Sequence, residues 1–228
     1  MRKQVLAAAI AVLSLSGAAV AHEAGDIILR IGVTHADPDI SSSKIKWNGV
    51  SVSGTGVQED GGSNTQLGLG ATYMIMPHFG LEATATTPFT HKLKSKWPGV
   101  ADFSYGKVSR SSPTVSAQFF FLNPRSDFQP YVGLGVNYSI FHNEKINNEA
   151  KERYGADNLK VKNSVGLVAQ LGMDYKITDR VFVNASIWKM YVSGKASWNE
   201  DWGAGVERMK TTVDFDPWVY SLGAGFKF

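Results

Sequence analysis

The chain has 228 residues, a formal net charge of +3 and no cysteine, which excludes disulfides and a thiol nucleophile. Two basic residues, Arg2 and Lys3, precede nine apolar residues (5–13), and the small residues Ala19 and Ala21 follow. This predicts a secretory signal peptide over residues 1–21, because nine apolar residues cannot span a bilayer. The remaining 22–228 carries 21 basic and 20 acidic residues, a balance that argues against a nucleic-acid partner.

Beyond the signal peptide, apolar residues recur with a period of two. In residues 164–175 (SVGLVAQLGMDY), every odd position is apolar and most even positions are small or polar. Such alternation indicates a strand with one apolar face. In chain order, strands are predicted at about 26–35, 65–76, 79–91, 111–122, 129–141, 163–176, 181–193 and 213–228, each near or above the length that a tilted membrane strand needs.

The connections between these segments alternate in length. Residues 36–64, 92–110, 142–162 and 194–212 are long and polar, whereas 77–78, 123–128 and 177–180 are short. The fold class predicted is therefore all-β: a transmembrane eight-stranded antiparallel β-barrel with long extracellular loops and short periplasmic turns, built from residues 22–228. A soluble barrel would instead have an apolar interior. Here the small and polar residues share one face, which we assign to the lumen.

The final segment gives the strongest single signal. Its apolar face ends on the last residue of the chain, Phe228, and comprises Trp218, Tyr220, Leu222, Ala224, Phe226 and Phe228. A terminal aromatic residue on such a face is typical of barrels that the barrel assembly machinery inserts. We therefore expect that machinery as a partner, through Phe228, and the outer membrane of a Gram-negative cell as the location.

The sequence also resembles the outer membrane protein W family along most of residues 22–228. The resemblance is carried by HEAGD (22–26), NTQLGLGATYM (64–74), ATTPFTHK (85–92), FQPYVGLGVNY (128–138), LGMDY (171–175), VNASIWKM (183–190) and VDFDPWVYSLGAGFKF (213–228). Lys189 and the Ser112–Pro113 pair depart from the family pattern. The resemblance implies a monomeric barrel, closed toward the periplasm, with an apolar extracellular funnel. It implies passive uptake of small hydrophobic compounds that leave sideways into the membrane, with outer-membrane lipids and lipopolysaccharide as surroundings.

The residues assigned to the lumen fall into two tiers when the N-terminus is placed on the periplasmic side. The lower tier is polar and is predicted to be a periplasmic plug in which opposite charges pair: Arg30, Glu82, Gln118, Gln170, Asp174 and Lys227. The upper tier is apolar and is predicted to form the substrate channel: Phe141, Trp188, Met190, Phe215, Pro217 and Val219, with Pro88 beside them. The alternative is that these side chains only fill space.

Prolines inside the predicted strands remove hydrogen-bond donors from the barrel wall. Pro88 and Pro113 fall on the neighbouring third and fourth strands, in their upper halves. We therefore predict a lateral gate at these two residues. The alternative is a bulge or a strand end at the outer rim.

No motif supports catalysis, a metal or a cofactor. The five histidines are scattered without ligand spacing, and the paired glycines (68/70, 133/135 and 223/225) lie inside strands, where they make room for long side chains. Two other functions stay open. One is a non-transporting envelope or receptor barrel that acts through its loops, and the other is a pore for small polar solutes.

Overall fold

The structure, a computed structural model, describes residues 22–39, 41–42, 46–47, 50–51, 57–59, 62–95, 103–201, 203 and 205–228. The predicted signal peptide, residues 1–21, lies outside them. The elements in chain order are β1 (Ile27–Asp37), β2 (Ser41–Ser42), β3 (Lys46–Trp47), β4 (Val50–Ser51), β5 (Val57–Glu59), β6 (Asn64–Met76), β7 (Phe79–Thr86), β8 (Phe89–Ser95), β9 (Phe103–Ser111), β10 (Thr114–Phe120), β11 (Phe128–Ile146), α1 (Asn148–Tyr154), β12 (Asp157–Lys162), β13 (Ser164–Lys176), β14 (Val181–Tyr191), β15 (Ser193–Asp201), β16 (Val206–Asp214) and β17 (Trp218–Lys227).

Eight of these strands form a closed antiparallel barrel, which confirms the predicted fold class. Its order is β10–β7–β6–β1–β17–β14–β13–β11, and β11 pairs with β10 to close the ring. The first and last barrel strands are neighbours, with Arg30 opposite Gly225. Ile27 and Phe228 complete that seam by exchanging backbone hydrogen bonds of 3.2 and 2.9 Å. Closure leaves these strands without an unpaired edge, as a lipid environment requires.

The outer wall of the barrel is apolar and the lumen face is buried. Leu134, at 73% exposed, and Leu167, at 66%, face outward, and the residues that alternate with them face inward. Exposed apolar residues continue around the ring, including Ile31, Val33, Leu67, Leu69, Leu81, Val115, Val136, Val165, Ile187 and Leu222. A continuous surface of this kind is solvated by lipid. Within the described residues, no helix is long and apolar enough to cross a membrane.

The described parts of the segments predicted as extracellular loops contain strands, which corrects the prediction of irregular connections there. β8, β9 and the upper half of β11 continue the wall upward on one side, and β12, β15, β16, β2, β3 and β4 form a second sheet. Inward residues such as Tyr105, Trp198 and Met209 pack with α1 in an apolar cluster above the barrel. These residues alternate with polar ones, but the segments are polar enough on average to resemble loops.

The structure also corrects the continuity of three predicted strands. The third strand is interrupted between β7 and β8, the fourth between β9 and β10, and the eighth begins only at Trp218. Thr86 and Phe89 both face inward, so the alternation shifts by one residue between them. Pro88 is consequently exposed and does not belong to the inward tier to which even numbering assigned it.

Candidate functional site in the barrel lumen

The floor of the lumen is organised around Arg30, which β1 directs into the barrel. Its Nη2 donates to Asp174 Oδ2 at 2.7 Å, and its Nη1 donates to Thr72 Oγ1 at 2.6 Å and Glu82 Oε1 at 3.1 Å. All four side chains are buried. One guanidinium therefore joins two carboxylates from different strands, the geometry for which its fixed fork of donors is suited.

The second oxygen of Glu82 is held by amide groups. Gln118 Nε2 donates to Glu82 Oε2 at 2.8 Å, and Gln170 Nε2 donates to the same oxygen at 3.1 Å. Gln118 also donates to Gln170 Oε1 at 3.2 Å. Five of the six residues predicted for the plug (Arg30, Glu82, Gln118, Gln170 and Asp174) are thus one hydrogen-bonded group. The sixth, Lys227, lies apart and pairs with Asp26 at 3.4 Å.

Three further residues complete the floor around Asp174. Asn184 Nδ2 donates to Asp174 Oδ1 at 2.7 Å and to the hydroxyl of Tyr131 at 3.0 Å. His22 Nε2 lies 3.1 Å from Asp174 Oδ2, and its ring packs 4.5 Å from that of Phe120. Inward alternation could have identified Tyr131 and Asn184, whereas His22 precedes the first strand and has no such signal.

An apolar layer lies beneath this network, at the ends of the strands that meet the periplasmic turns. It consists of Ile28, Met74, Phe120, Tyr131 and Phe182. Glycines make room for these rings and amides: a Cβ on Gly225 would overlap the ring of Phe182, and one on Gly133 would lie 2.6 Å from Gln170 Oε1. The polar network and the apolar layer together occupy the periplasmic end of the lumen with buried side chains.

A cavity lies above the floor. Arg30 and Glu82 form its base, and Trp188, Met190 and Val219 contribute an apolar wall. Trp188 is fixed by a 2.9 Å hydrogen bond from its Nε1 to Ser186 Oγ. The cavity therefore has a charged base and an apolar upper wall, an arrangement that can hold a small, mainly apolar molecule.

The upper tier predicted from the sequence separates into two levels. Trp188, Met190 and Val219 line the lumen cavity, whereas Phe141 and Phe215 pack higher, with ring centroids 5.6 Å apart. Phe215 also lines an outer cavity, which is lined mainly by apolar residues of the extracellular strands: Leu93, Val108, Leu159, Val161, Ala196, Trp198 and Val213.

A small middle cavity lies between these two levels and shares lining residues with both cavities. It is lined by Phe215 and Pro217 from above and by Phe89 and Arg110, which also line the lumen cavity. Arg110 is buried, and its guanidinium carbon lies 5.8 Å from the centre of the Phe215 ring. Arg110 is not among the site residues predicted from the sequence, because it lies one residue before the predicted start of the fourth strand.

The wall of the lumen cavity is interrupted between the third and fourth strands. The β7–β10 ladder ends at the pair Thr84–Thr114, and the β8–β9 ladder begins at Phe89–Arg110. Residues 85–88 and 111–113 form no ladder with each other, and we call this region the seam. Both residues of the predicted gate, Pro88 and Pro113, lie in it.

Backbone groups at the seam bond to the strands on its outer sides. Thr87 N donates to Leu67 O at 3.0 Å, and Tyr138 N donates to Pro113 O at 2.9 Å. Thr86 and Ser112 line the lumen cavity, and their buried hydroxyls have no hydrogen-bond partner among the described residues. The seam is therefore a break in the wall that adjoins the cavity.

The third proline, Pro217, lies in a break of a different kind, which we call the stitched break. Met190 N donates to Pro217 O at 3.1 Å, and Phe215 N donates to Val192 O at 2.8 Å. The Asp216 carboxylate accepts a 2.9 Å hydrogen bond from Val192 N. Backbone and side-chain bonds thus hold the two sides of this break together.

No group of three or more His, Asp or Glu side chains in the described part of the chain is arranged to hold a metal ion.

The closed ring of eight strands, the lipid-facing outer surface and the internal lumen define an outer-membrane β-barrel protein. The chain belongs to the OmpW family, whose sequence profile matches residues 23–228. It is similar to outer membrane protein W of Escherichia coli (strain K12), with 36% identity over 230 residues and 100% of both chains covered. It is also similar to that of Vibrio cholerae serotype O1, with 35% identity over 228 residues, 99% of this chain and 100% of the relative.

The crystal structure of OprG from Pseudomonas aeruginosa has the same fold. Its TM-score is 0.85 at 40% identity, with 92% of this chain and 99% of that chain covered. These findings confirm the family resemblance and the outer-membrane location. The family and the fold are those of outer-membrane barrel proteins.

Proposed function

We propose that the protein is a passive channel for small hydrophobic molecules, which enter through the extracellular cavities and leave sideways through the seam. The observation that carries this proposal is the combination of a closed floor with an interrupted wall around one cavity. A solute above the Arg30 network meets buried, paired charges below it, whereas the wall beside it has no ladder hydrogen bonds across the seam.

The route is also supported by the character of its surfaces. The outer cavity is lined mainly by apolar side chains, and Phe215 lies between it and the middle cavity. Transfer of an apolar solute from water to such a surface is favourable, at about 25 cal/mol per Å² of apolar area removed from water. Transfer onward into the membrane is then a step between two apolar environments.

Uptake of an apolar growth substrate at limiting concentration tests the proposal. We expect cells with the protein to take it up faster than cells without it. Thr84→Phe should reduce uptake, because Thr84 lines the lumen cavity. The matched control is Ala83→Phe, since Ala83 precedes Thr84 and is exposed on the outer wall. Equal uptake with and without the protein would contradict the proposal.

A receptor role is the second candidate, because the extracellular part has its own folded sheet, helix and apolar cluster. Shortening the connection between β15 and β16 should abolish a receptor activity and leave most uptake through the lumen. Steady ion current across a planar bilayer would instead favour a pore for polar solutes.

A further inference from the structure

Lysines stand directly opposite one another on the outer face of the extracellular wall. Lys107 on β9 pairs in register with Lys92 on β8 and with Lys145 on β11, so three lysines cross three strands in one row. Residues directly opposite in an antiparallel sheet point to the same face, with Cβ atoms about 4.5–5.5 Å apart. All three are exposed.

The second extracellular sheet repeats this arrangement. Lys162 on β12 is directly opposite Lys195 on β15, whose partner on β16 is Thr212. Lys210 lies two residues from Thr212 and therefore shares the same face, and all three lysines are exposed. We call these six residues (Lys92, Lys107, Lys145, Lys162, Lys195 and Lys210) the lysine rows.

The lysine rows carry positive charge that the described part of the protein does not neutralise. None of the six lysines has an ion pair or a side-chain hydrogen bond with another described residue. Like charges directly opposite each other destabilise a sheet. The three directly opposite pairs (Lys92–Lys107, Lys107–Lys145 and Lys162–Lys195) would therefore be stabilised by an anion placed between the lysines.

The height of Lys162 and Lys195 above the lipid-facing surface indicates which anion is available to them. Val165 and Tyr191 are the last exposed apolar residues on β13 and β14. Lys162 and Lys195 follow three and four residues further out along the chain. At about 3.3 Å per residue and a strand tilt of about 40°, they lie roughly 7–10 Å above the apolar surface. This is the layer of lipid headgroups.

We propose that the lysine rows bind the phosphate groups of the phosphorylated glycolipid of the outer leaflet, lipopolysaccharide. Its phosphates are multivalent, lie in the headgroup layer and surround an outer-membrane barrel on all sides. The rows lie on separate sheets of the extracellular wall and so engage several glycolipid molecules. Bound phosphate offsets the repulsion within each row and anchors the barrel at a fixed depth. This proposal is independent of any transport through the lumen.

The test is the affinity of the full barrel, in neutral detergent, for lipid A that carries both of its phosphates. Lys92→Gln/Lys107→Gln and Lys162→Gln/Lys195→Gln each remove two charges from one row. We expect each double variant to weaken binding about tenfold or more, since each lysine near an anionic surface contributes about a factor of five. Dephosphorylated lipid A should bind the variants and the unmodified protein equally.

The matched control is Arg125→Gln/Lys151→Gln, which removes the same charge from exposed residues of a periplasmic turn and of α1. It should change affinity by less than about twofold, and heat-modifiable gel mobility should show that all variants fold. Affinities of the row variants equal to that of the control would overturn the proposal. Tighter binding of heparin than of lipid A would also overturn it, by assigning the rows to a soluble polyanion.

Discussion

The seam and the stitched break are two proline-containing interruptions of one barrel wall, and they differ in how their backbone groups are bonded. At the seam, Thr87 and Pro113 bond outward to neighbouring strands, away from each other. At the stitched break, two backbone hydrogen bonds and one hydrogen bond to the Asp216 carboxylate join the two sides. Proline alone therefore does not open a wall. The two interruptions differ in whether other hydrogen bonds join their two sides where the ladder bonds are missing.

The Arg30 network holds the floor of the lumen, and Arg30→Met should have the largest effect of the substitutions considered. It would leave Glu82 and Asp174 buried without their cation, at a cost of about 3–5 kcal/mol. We expect a lower midpoint of heat-modifiable mobility and a new ion conductance in planar bilayers. Lys227→Met is the control, because Lys227 lies at the rim with Asp26. Unchanged stability of Arg30→Met would show that the network does not hold the floor.

Asp216→Ala should weaken the stitched break, because it removes one of the three hydrogen bonds that join its two sides. Val192 is buried, and its N–H would lose its acceptor, at a cost of about 1–3 kcal/mol in the free energy of unfolding. The measurement is the urea midpoint of folded barrel in detergent. The control Asp214→Ala removes an exposed contact with Ser193 and should stay within about 0.5 kcal/mol. Equal effects of the two substitutions would remove the distinction between the breaks.

Pro88→Ala/Pro113→Ala should change stability by a small net amount, because the added hydrogen bonds are offset by the greater freedom of the unfolded chain, and should have a clear effect on transport. It restores two N–H donors at the seam, and each added hydrogen bond contributes about 0.5–1.5 kcal/mol. We expect the barrel to fold and the uptake of apolar solute to fall. Pro124→Ala, in a periplasmic turn, should leave uptake unchanged. Wild-type uptake by the double variant would place the exit elsewhere, with the strand of Pro217 next to be tested.

The barrel itself was predictable because the physics that forms it is periodic. Alternation in segments such as 164–175 identified all eight strands, and the short turns identified the periplasmic side. The same alternation placed Arg30, Glu82 and Asp174 in one tier. It could not show that one guanidinium joins both carboxylates, because that contact depends on how three distant strands are staggered around the ring.

The features that the sequence did not predict depend on local departures from this period of two. Pro88 was assigned to the lumen because its number is even, but the shift between Thr86 and Phe89 moved it to the outside. The extracellular sheets were predicted as loops because their outward faces carry lysine and serine at high density. His22 contacts Asp174 from outside any strand, so no pattern could indicate it.

A disulfide across the seam tests the central claim most directly, because the chain has no cysteine of its own. Extending the register of Thr84 with Thr114 by two residues places Thr86 opposite Ser112, and both line the lumen cavity. In the Thr86→Cys/Ser112→Cys variant, oxidation should reduce apolar solute uptake to the level of cells without the protein, and reductant should restore it. The pair Thr84→Cys/Thr114→Cys, in the intact ladder, should be insensitive to oxidation. Full uptake through a barrel whose Thr86–Ser112 disulfide has been verified by mass spectrometry would contradict exit at the seam.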